Sequence, residues 1–198
     1  MADDSMNKRK IITKNDVILY CTGLFLICFY FFVLTLRINP QVDYEYKQYY
    51  IKKSLKEWGG PSSFQYALNT PLKFYKGNES IYTRISTGWS NLEEDGCWTD
   101  GDSAQIWFSD LPNIDLSISM QVIDTTNQGE INIYGNGSVL FSICKNDLYA
   151  TKVFDIALPK EILSDGNLEL YLDITDPSSA LNDSRKMGIK VKEIVIHE

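Results

Sequence analysis

The stretch IDLSISMQVID, residues 114–124, decides the fold class of this chain. Its apolar residues Leu116, Ile118, Met120 and Val122 alternate with residues that are mostly polar. Successive side chains of a β-strand point to opposite faces of a sheet, so this pattern predicts a strand with one buried face. The segments on either side show whether such strands recur.

Segments of the same kind follow one another from residue 61 onward, separated by turn signals such as Asn127-Gln128-Gly129. They lie at 71–75, 80–86, 103–109, 129–135, 138–144, 151–159, 167–175 and 187–198. Short strands at this spacing, with no long helical pattern between them, predict an antiparallel sandwich or barrel. We therefore expect one β-domain over residues 61–198.

The N-terminal part has a different character. Residues 17–36, VILYCTGLFLICFYFFVLTL, form an uncharged apolar run of about 20 residues, the length of one transmembrane helix. A buried core helix would be apolar on one face only, and a cleaved signal peptide would end in a small-x-small site that LTLRINP lacks. We predict an uncleaved signal anchor. Residues 1–16 should be a cytoplasmic tail, because basic residues precede the span: Lys8, Arg9, Lys10 and Lys14.

The segment at 37–60 connects the span to the β-domain. Tyr46, Tyr49, Tyr50 and Trp58 give a rough helical stripe, which Gly59-Gly60-Pro61 ends. We predict a short juxtamembrane helical stalk. Its aromatic rings suit either the membrane interface or packing against the β-domain, and the sequence leaves both open.

Composition limits the chemistry. The chain of 198 residues has a formal net charge of −7, which disfavours a nucleic-acid partner. A zinc site or a Ser/His/Asp triad would depend on the single histidine, His197. We therefore predict no enzyme activity, no metal and no cofactor. Cys97 and Cys144 lie in the β-domain, where an oxidising compartment would allow them to pair.

The segment from Gly88 to Phe108 concentrates three tryptophans and several acidic residues. Its side chains could stack on a sugar, hold Ca²⁺, form a glycosidase carboxylate pair, or simply be core tryptophans beside a solvated acidic loop. Trp98 fits a structural plug, while Trp89 is the better stacking candidate. The predicted ligand-binding residues are Trp89, Glu93, Glu94 and Asp100.

Two motifs in this chain resemble a known family. The first, G-x-S-x-x-E-x-x-G-x-W-[ST], is met by Gly88, Ser90, Glu93, Gly96, Trp98 and Thr99. The second, P-x-S followed by D-x-R-x-x-G, is met by Pro177, Ser179, Asp183, Arg185 and Gly188. Together they resemble a bacterial extracytoplasmic β-domain found at the C-terminus of membrane phosphoglycerol transferases and beside envelope glycosyltransferases. One departure is Met187, where the family often has Leu, a change that conserves volume.

The resemblance implies an antiparallel β-sandwich, jelly-roll and galactose-binding-like, following one N-terminal transmembrane helix. It also implies a non-catalytic, membrane-anchored periplasmic accessory module that takes part in handling envelope glycans and binds carbohydrate. The transferase activity of the larger relatives does not carry over. Alternatives are a docking subunit of a membrane glycosyltransferase or phosphoglycerol transferase complex, and a carboxylate-only glycan hydrolase. Within the motifs, Arg185 is expected to pair with Glu93, or else with Asp183.

Overall fold

The computed structural model describes residues 13–38, 40–144, 147, 152–163, 165–179 and 183–198. The chain divides into two compact units, Met1–Val42 and Asp43–Glu198. In the first unit, helix α1 (Lys14–Ile38) contains the whole predicted apolar run and buries none of its residues. Its N-terminus is capped reciprocally by Thr13 and Asp16: the Asp16 N–H donates to Thr13 Oγ1 at 3.3 Å, and Thr13 N–H to Asp16 Oδ2 at 2.9 Å. By length and composition, α1 could cross a membrane.

The second unit is an antiparallel β-sandwich, as predicted. A six-stranded sheet has the order β2-β3-β10-β5-β8, with β1 pairing on β10, and a four-stranded sheet has the order β4-β9-β6-β7. The strands of the described residues are β1 (Leu72–Lys73), β2 (Trp89–Leu92), β3 (Cys97–Asp100), β4 (Ser103–Phe108), β5 (Leu116–Thr125), β6 (Ile131–Gly135), β7 (Ser138–Ile143), β8 (Lys152–Leu158), β9 (Leu168–Ile174) and β10 (Met187–His197).

The core lies between the two sheets. In β5 the predicted alternation is confirmed, since Leu116, Ile118, Met120 and Val122 are all buried. Strand β9 supplies the opposite wall with the same period, again with every second side chain buried. Full burial of an aliphatic side chain of this size contributes about 1.5–3 kcal/mol, so this alternation fixes which face of each strand turns inward.

Two segments differ from the sequence prediction. The expected strand at 80–86 is instead a 3-10 helix, Glu79–Thr83. Side chains near its start offer local hydrogen bonds, because Ser80 Oγ donates to Asn78 Oδ1 at 2.9 Å and Thr83 Oγ1 to the Ser80 carbonyl at 2.8 Å. The expected loop before residue 103 is instead the hairpin β2–β3, whose turn closes where the Glu93 N–H donates to the Gly96 carbonyl at 2.9 Å.

The segment after α1 is helical over a shorter range than predicted. Helix α2 (Tyr44–Tyr46) continues as a π-helical turn, Lys47–Ile51. From Asp43 onward the segment belongs to the same compact unit as the sandwich. Tyr44 and Tyr49 pack against a small second cluster made by Leu55, Phe64 and Trp107.

Candidate functional site

The tryptophan at the start of β2 is part of the core. Trp89 is 1% exposed, and its ring stacks on Phe74 with 4.9 Å between centroids. Its indole N–H donates to the Gln105 carbonyl at 2.9 Å. The prediction that Trp89 stacks on a sugar is therefore wrong, since the ring has no free face and its N–H is already satisfied.

Trp98 is buried in β3, in agreement with its predicted role as a plug. Strand β3, which carries the end of the first motif, pairs with β10, which begins at the end of the second: Trp98 pairs with Lys190 and Cys97 with Val191. The Lys190 ammonium lies 5.8 Å from the centroid of the Trp98 ring, within range of a cation–π contact. The antiparallel pairing of β3 with β10 thus brings together two parts of the chain that are distant in sequence.

Arg185 lies at the centre of an ion-pair network at this junction. Its closest carboxylate is Asp183, 2.6 Å from Nη2, and Glu93 lies farther away at 3.5 Å. Nη1 also donates to the Ser90 hydroxyl. The predicted pairing with Glu93 is confirmed, but Asp183 is the tighter partner. The hydrogen bond from Arg185 lowers the pKa of Asp183, and the same bond raises the pKa of Arg185.

Lys190 extends the network along β10. Its Nζ lies 2.8 Å from Glu93 Oε2 and 2.5 Å from Asp95 Oδ1. Burial acts to lower the pKa of Lys190, but the hydrogen bonds with Asp95 and Glu93 outweigh it, and the pKa is raised. The pKa of Asp95 is lowered by the same hydrogen bond. Glu93, a predicted ligand-binding residue, therefore bridges two cations that the fold itself supplies.

Close packing explains two motif glycines. A Cβ at Gly88 would lie 1.9 Å from the Ser103 carbonyl oxygen, and one at Gly188 would lie 2.7 Å from Thr99 Oγ1. Thr99 Oγ1 in turn accepts the Ile189 N–H at 3.1 Å. Asp100, a predicted ligand residue, ends β3 and donates its N–H to the Gly88 carbonyl at 2.7 Å. The motif residues in this region hold the hairpin against the rest of the fold.

The opposite side of the hairpin turn opens onto a surface groove of about 310 Å³. It is built from β1, the hairpin turn and β10, together with Tyr75, which follows β1 by two residues and is 43% exposed. Its lining residues are Lys73, Tyr75, Glu94, Asp95, Lys192 and Glu193. Of the predicted ligand-binding residues, this groove contains Glu94 alone. Sequence reasoning missed Tyr75, although Phe74 is buried in the same segment and alternation would have placed Lys73 and Tyr75 outside.

A larger groove of about 580 Å³ lies beside helix α2, but its aromatic residue is not available. The Tyr44 ring packs edge-on against Phe64 at 5.7 Å between centroids. Burial, followed by the nearby Glu169 carboxylate, raises the pKa of Tyr44 to about 12. The Asn136 amide in the same groove already donates to the Ile162 and Asn167 carbonyls. This groove therefore offers polar side chains to a ligand, but its tyrosine ring is packed against the domain.

Ser119, Asp155 and His197 meet on the outer face of the six-stranded sheet. Ser119 Oγ lies 2.5 Å from Asp155 Oδ1 and 2.9 Å from His197 Nε2. The hydroxyl is thus between the carboxylate and the imidazole, whereas a catalytic triad places the imidazole in the middle. Ser119 belongs to β5, which pairs with β10 on one side and β8 on the other, so its ladder gives no free N–H pair for an oxyanion.

The two cysteines of the β-domain are free thiols in this structure, so the pairing of Cys97 with Cys144 that the sequence left open is not made here. Cys97 is buried in β3 and Cys144 is exposed at the end of β7. Burial raises the pKa of Cys97 to about 12, which leaves it a protonated core residue. Among the described residues, no group of three or more His, Cys, Asp or Glu side chains could hold a metal ion.

No family model and no curated protein matches this chain, so the resemblance drawn from its two motifs stays a prediction. Solved structures are similar to it at low identity. A family 35 carbohydrate-binding module from an environmental isolate has 12% identity and a TM-score of 0.37, over 66% of this chain and 83% of that one. One from Clostridium thermocellum has 10% identity and a TM-score of 0.38, over 64% and 97%. A family 36 module in complex with calcium and xylotriose has 16% identity and a TM-score of 0.38, over 64% and 98%.

Proposed function

We propose that this protein is a non-catalytic glycan-binding module, anchored in a membrane by α1, and that it binds carbohydrate in the Tyr75 groove. The observation that carries the proposal is the half-exposed Tyr75 ring, set beside lysines and carboxylates in one groove. A pyranose offers an apolar C–H face and a rim of hydroxyls. An aromatic ring complements the face, and charged side chains make strong hydrogen bonds to the rim.

Ion pairs and strand pairing hold several residues of the groove in place. Asp95 belongs both to the groove and to the ion pair with Lys190, and β1 pairs with β10 so that Lys73 is opposite Glu193. At the rim, Lys76 lies 3.7 Å from Glu94. Side chains held in this way lose less conformational freedom on binding than side chains on a loose loop, which favours affinity.

The wider role belongs to the same proposal. The apolar helix α1, together with the basic residues before it, supports a single-pass anchor in the inner (cytoplasmic) membrane with the β-domain in the periplasm. The resemblance of the two motifs supports a bacterial accessory role in handling polysaccharide or lipid-linked sugars of the envelope. A membrane transferase would then be the natural partner.

The test is a glycan array probed with the full chain in detergent, followed by titration of each hit. Tyr75→Ala should weaken binding at least about tenfold, equivalent to about 1.4 kcal/mol, without lowering the melting temperature. The matched control is Tyr171→Ala, a tyrosine that pairs with Tyr134 in the other sheet. If a well-folded chain binds nothing on a broad array, or if Tyr75→Ala binds as well as the parent, the proposal fails and a docking subunit becomes the better explanation.

A further inference from the structure

The helical segment after α1 distributes its residues in an unusual way. It buries Gln48, 1% exposed, and Glu45, while it exposes Tyr46 and Tyr50, the latter at 48%. A helix on a water-soluble surface normally does the reverse and turns its apolar side chains inward. Exposed aromatic residues on one side, with polar residues turned inward, indicate that this side contacts something other than bulk water.

The two exposed rings, Tyr46 and Tyr50, form one continuous cluster with the half-buried rings of Tyr49 and Trp58, and we call these four residues the aromatic patch. Tyr50 lies 4.6 Å from Tyr46 and 5.2 Å from Trp58 between ring centroids. Tyr49 lies 5.7 Å from Trp58. Ile51 adds further exposed apolar surface beside the patch.

The segment that carries the aromatic patch also carries exposed lysines, although the chain as a whole is acidic. Lys47, Lys52 and Lys53 are exposed. Lys56 is not available, because its Nζ donates to the Ser90 carbonyl at 2.7 Å and lies 4.9 Å from the Tyr82 ring. Beside Tyr50 there is also a cleft of about 330 Å³, which Lys53 helps to line. This segment therefore offers exposed tyrosine rings, exposed ammonium groups and a cleft. An ammonium group can pair with an anionic lipid headgroup, and the rings can contact the acyl chain below it.

The chain length keeps the aromatic patch near any membrane that α1 crosses. Tyr46 is the eighth residue after Ile38, the end of α1, and an extended chain of eight residues reaches at most about 28 Å. This step depends on α1 spanning the membrane, as proposed above. Given that anchor, the patch stays within reach of the headgroup layer at all times, and even weak lipid contacts act at high effective concentration.

We propose that the aromatic patch binds the membrane surface, with its tyrosines and Trp58 at headgroup level and Lys47, Lys52 and Lys53 against anionic phosphates. Tyrosine and tryptophan favour this layer because one end of each ring is apolar and the other is polar. Lysines near an anionic surface add an attraction that salt screens.

Trp58 serves as the reporter, because the other tryptophans, Trp89, Trp98 and Trp107, are buried in the sandwich. The full chain is reconstituted in nanodiscs of equal parts phosphatidylcholine and phosphatidylglycerol, with a nitroxide on some phosphatidylcholine headgroups. We expect the nitroxide to quench Trp58 several-fold more strongly than in discs of phosphatidylcholine alone. We also expect added salt to reduce the difference. Trp58→Phe should remove the quenchable emission.

The variant Tyr46→Ser/Tyr50→Ser should lose most of the quenching, as should Lys47→Gln/Lys52→Gln/Lys53→Gln in the anionic discs. Tyr75→Ser is the matched control, since it removes a tyrosine of similar exposure elsewhere. Unchanged quenching in both patch variants, or none in the parent, would overturn the proposal. If the quenching depended on the number of chains per disc and not on lipid charge, the proposal would be wrong, and the patch would instead mediate self-association of the chain. Failure to enter the discs would instead refute the anchor, and glycan titration tests the Tyr75 groove separately.

Discussion

The two sides of the β2–β3 hairpin turn use charge in different ways. On the inner side, Arg185 and Lys190 have carboxylate partners within 2.6 Å and 2.5 Å, and these partners are supplied by the fold itself. On the outer side, Tyr75 is open to solvent beside lysines and carboxylates that line a groove. Both sides contain acidic residues and cations, yet only the outer side leaves a ring free for a ligand.

This difference separates what the motif residues do from what a ligand would contact. Gly88, Trp98 and Arg185 all contribute to packing or ion pairs inside the domain. Tyr75 and Lys192 of the groove belong to neither motif. The motif residues of this chain therefore hold the domain together, while the residues that we propose to contact a ligand lie outside both motifs.

The largest effect should come from Gly88→Ala on the inner side. The new Cβ would lie 1.9 Å from the Ser103 carbonyl oxygen, which is backbone and has little room to move, so β2 would separate from β4. We expect a loss of about 3 kcal/mol or more in the free energy of unfolding, measured by chemical denaturation. Thr87→Ala, at the exposed neighbouring position, should change it by no more than about 0.5 kcal/mol. Equal stability for the two variants would show that the hairpin is not packed as described.

A smaller loss is expected from Arg185→Ala. The change leaves Asp183 without its cation and removes the hydrogen bond to the buried Ser90 hydroxyl, and the loss of that hydrogen bond should cost about 1 kcal/mol of unfolding free energy. Lys at this position would restore the charge without the bidentate geometry, so Arg185→Lys should recover only part of the loss. Glycan affinity should stay within about threefold of the parent. If Arg185→Ala abolished glycan binding at unchanged stability, the two sides of the hairpin would have to be treated as one site.

The smallest effect should be the loss of stability at low pH. The pKa values of Asp183 and Asp95 in the folded chain lie below the unfolded value of about 3.9. Their stabilisation is therefore complete above about pH 4 and is lost as the pH falls through the folded pKa values. The melting temperature of the parent should decrease as the pH falls through that range. The melting temperature of Asp183→Asn should decrease less steeply. A parent and variant with parallel curves would show that the Asp183–Arg185 pair contributes nothing to stability.

The strands that could be predicted from the sequence are those in which apolar and polar residues alternate clearly. Alternation located β5 and β9 closely, because every second residue there is buried. The β2–β3 hairpin was missed because its turn is rich in acidic residues, a composition typical of solvated loops, and their pairing with Lys190 comes from distant sequence. The strand expected at 80–86 failed because local side-chain hydrogen bonds favour a helical turn.

The site was less predictable than the fold. Trp89 was chosen for its residue type, but burial decides whether a ring can stack, and burial of an isolated tryptophan is a tertiary property. The ion pair between Glu93 and Arg185 was foreseen from the motifs, whereas the tighter contact with Asp183 depends on local backbone geometry two residues away. Tyr75 could have been found, because it follows a buried phenylalanine in a segment with alternating character.

The position of β10 has a consequence for how the sandwich folds. This strand pairs with β1, β3 and β5, so the large sheet is complete only when residues 187–197 have joined strands that are distant in sequence. Until β10 pairs, the edges of β3 and β5 that it covers can join other extended chains. Contacts over such long sequence separations form slowly. Docking of β10 is therefore the step of folding during which this chain is most exposed to edge-to-edge association.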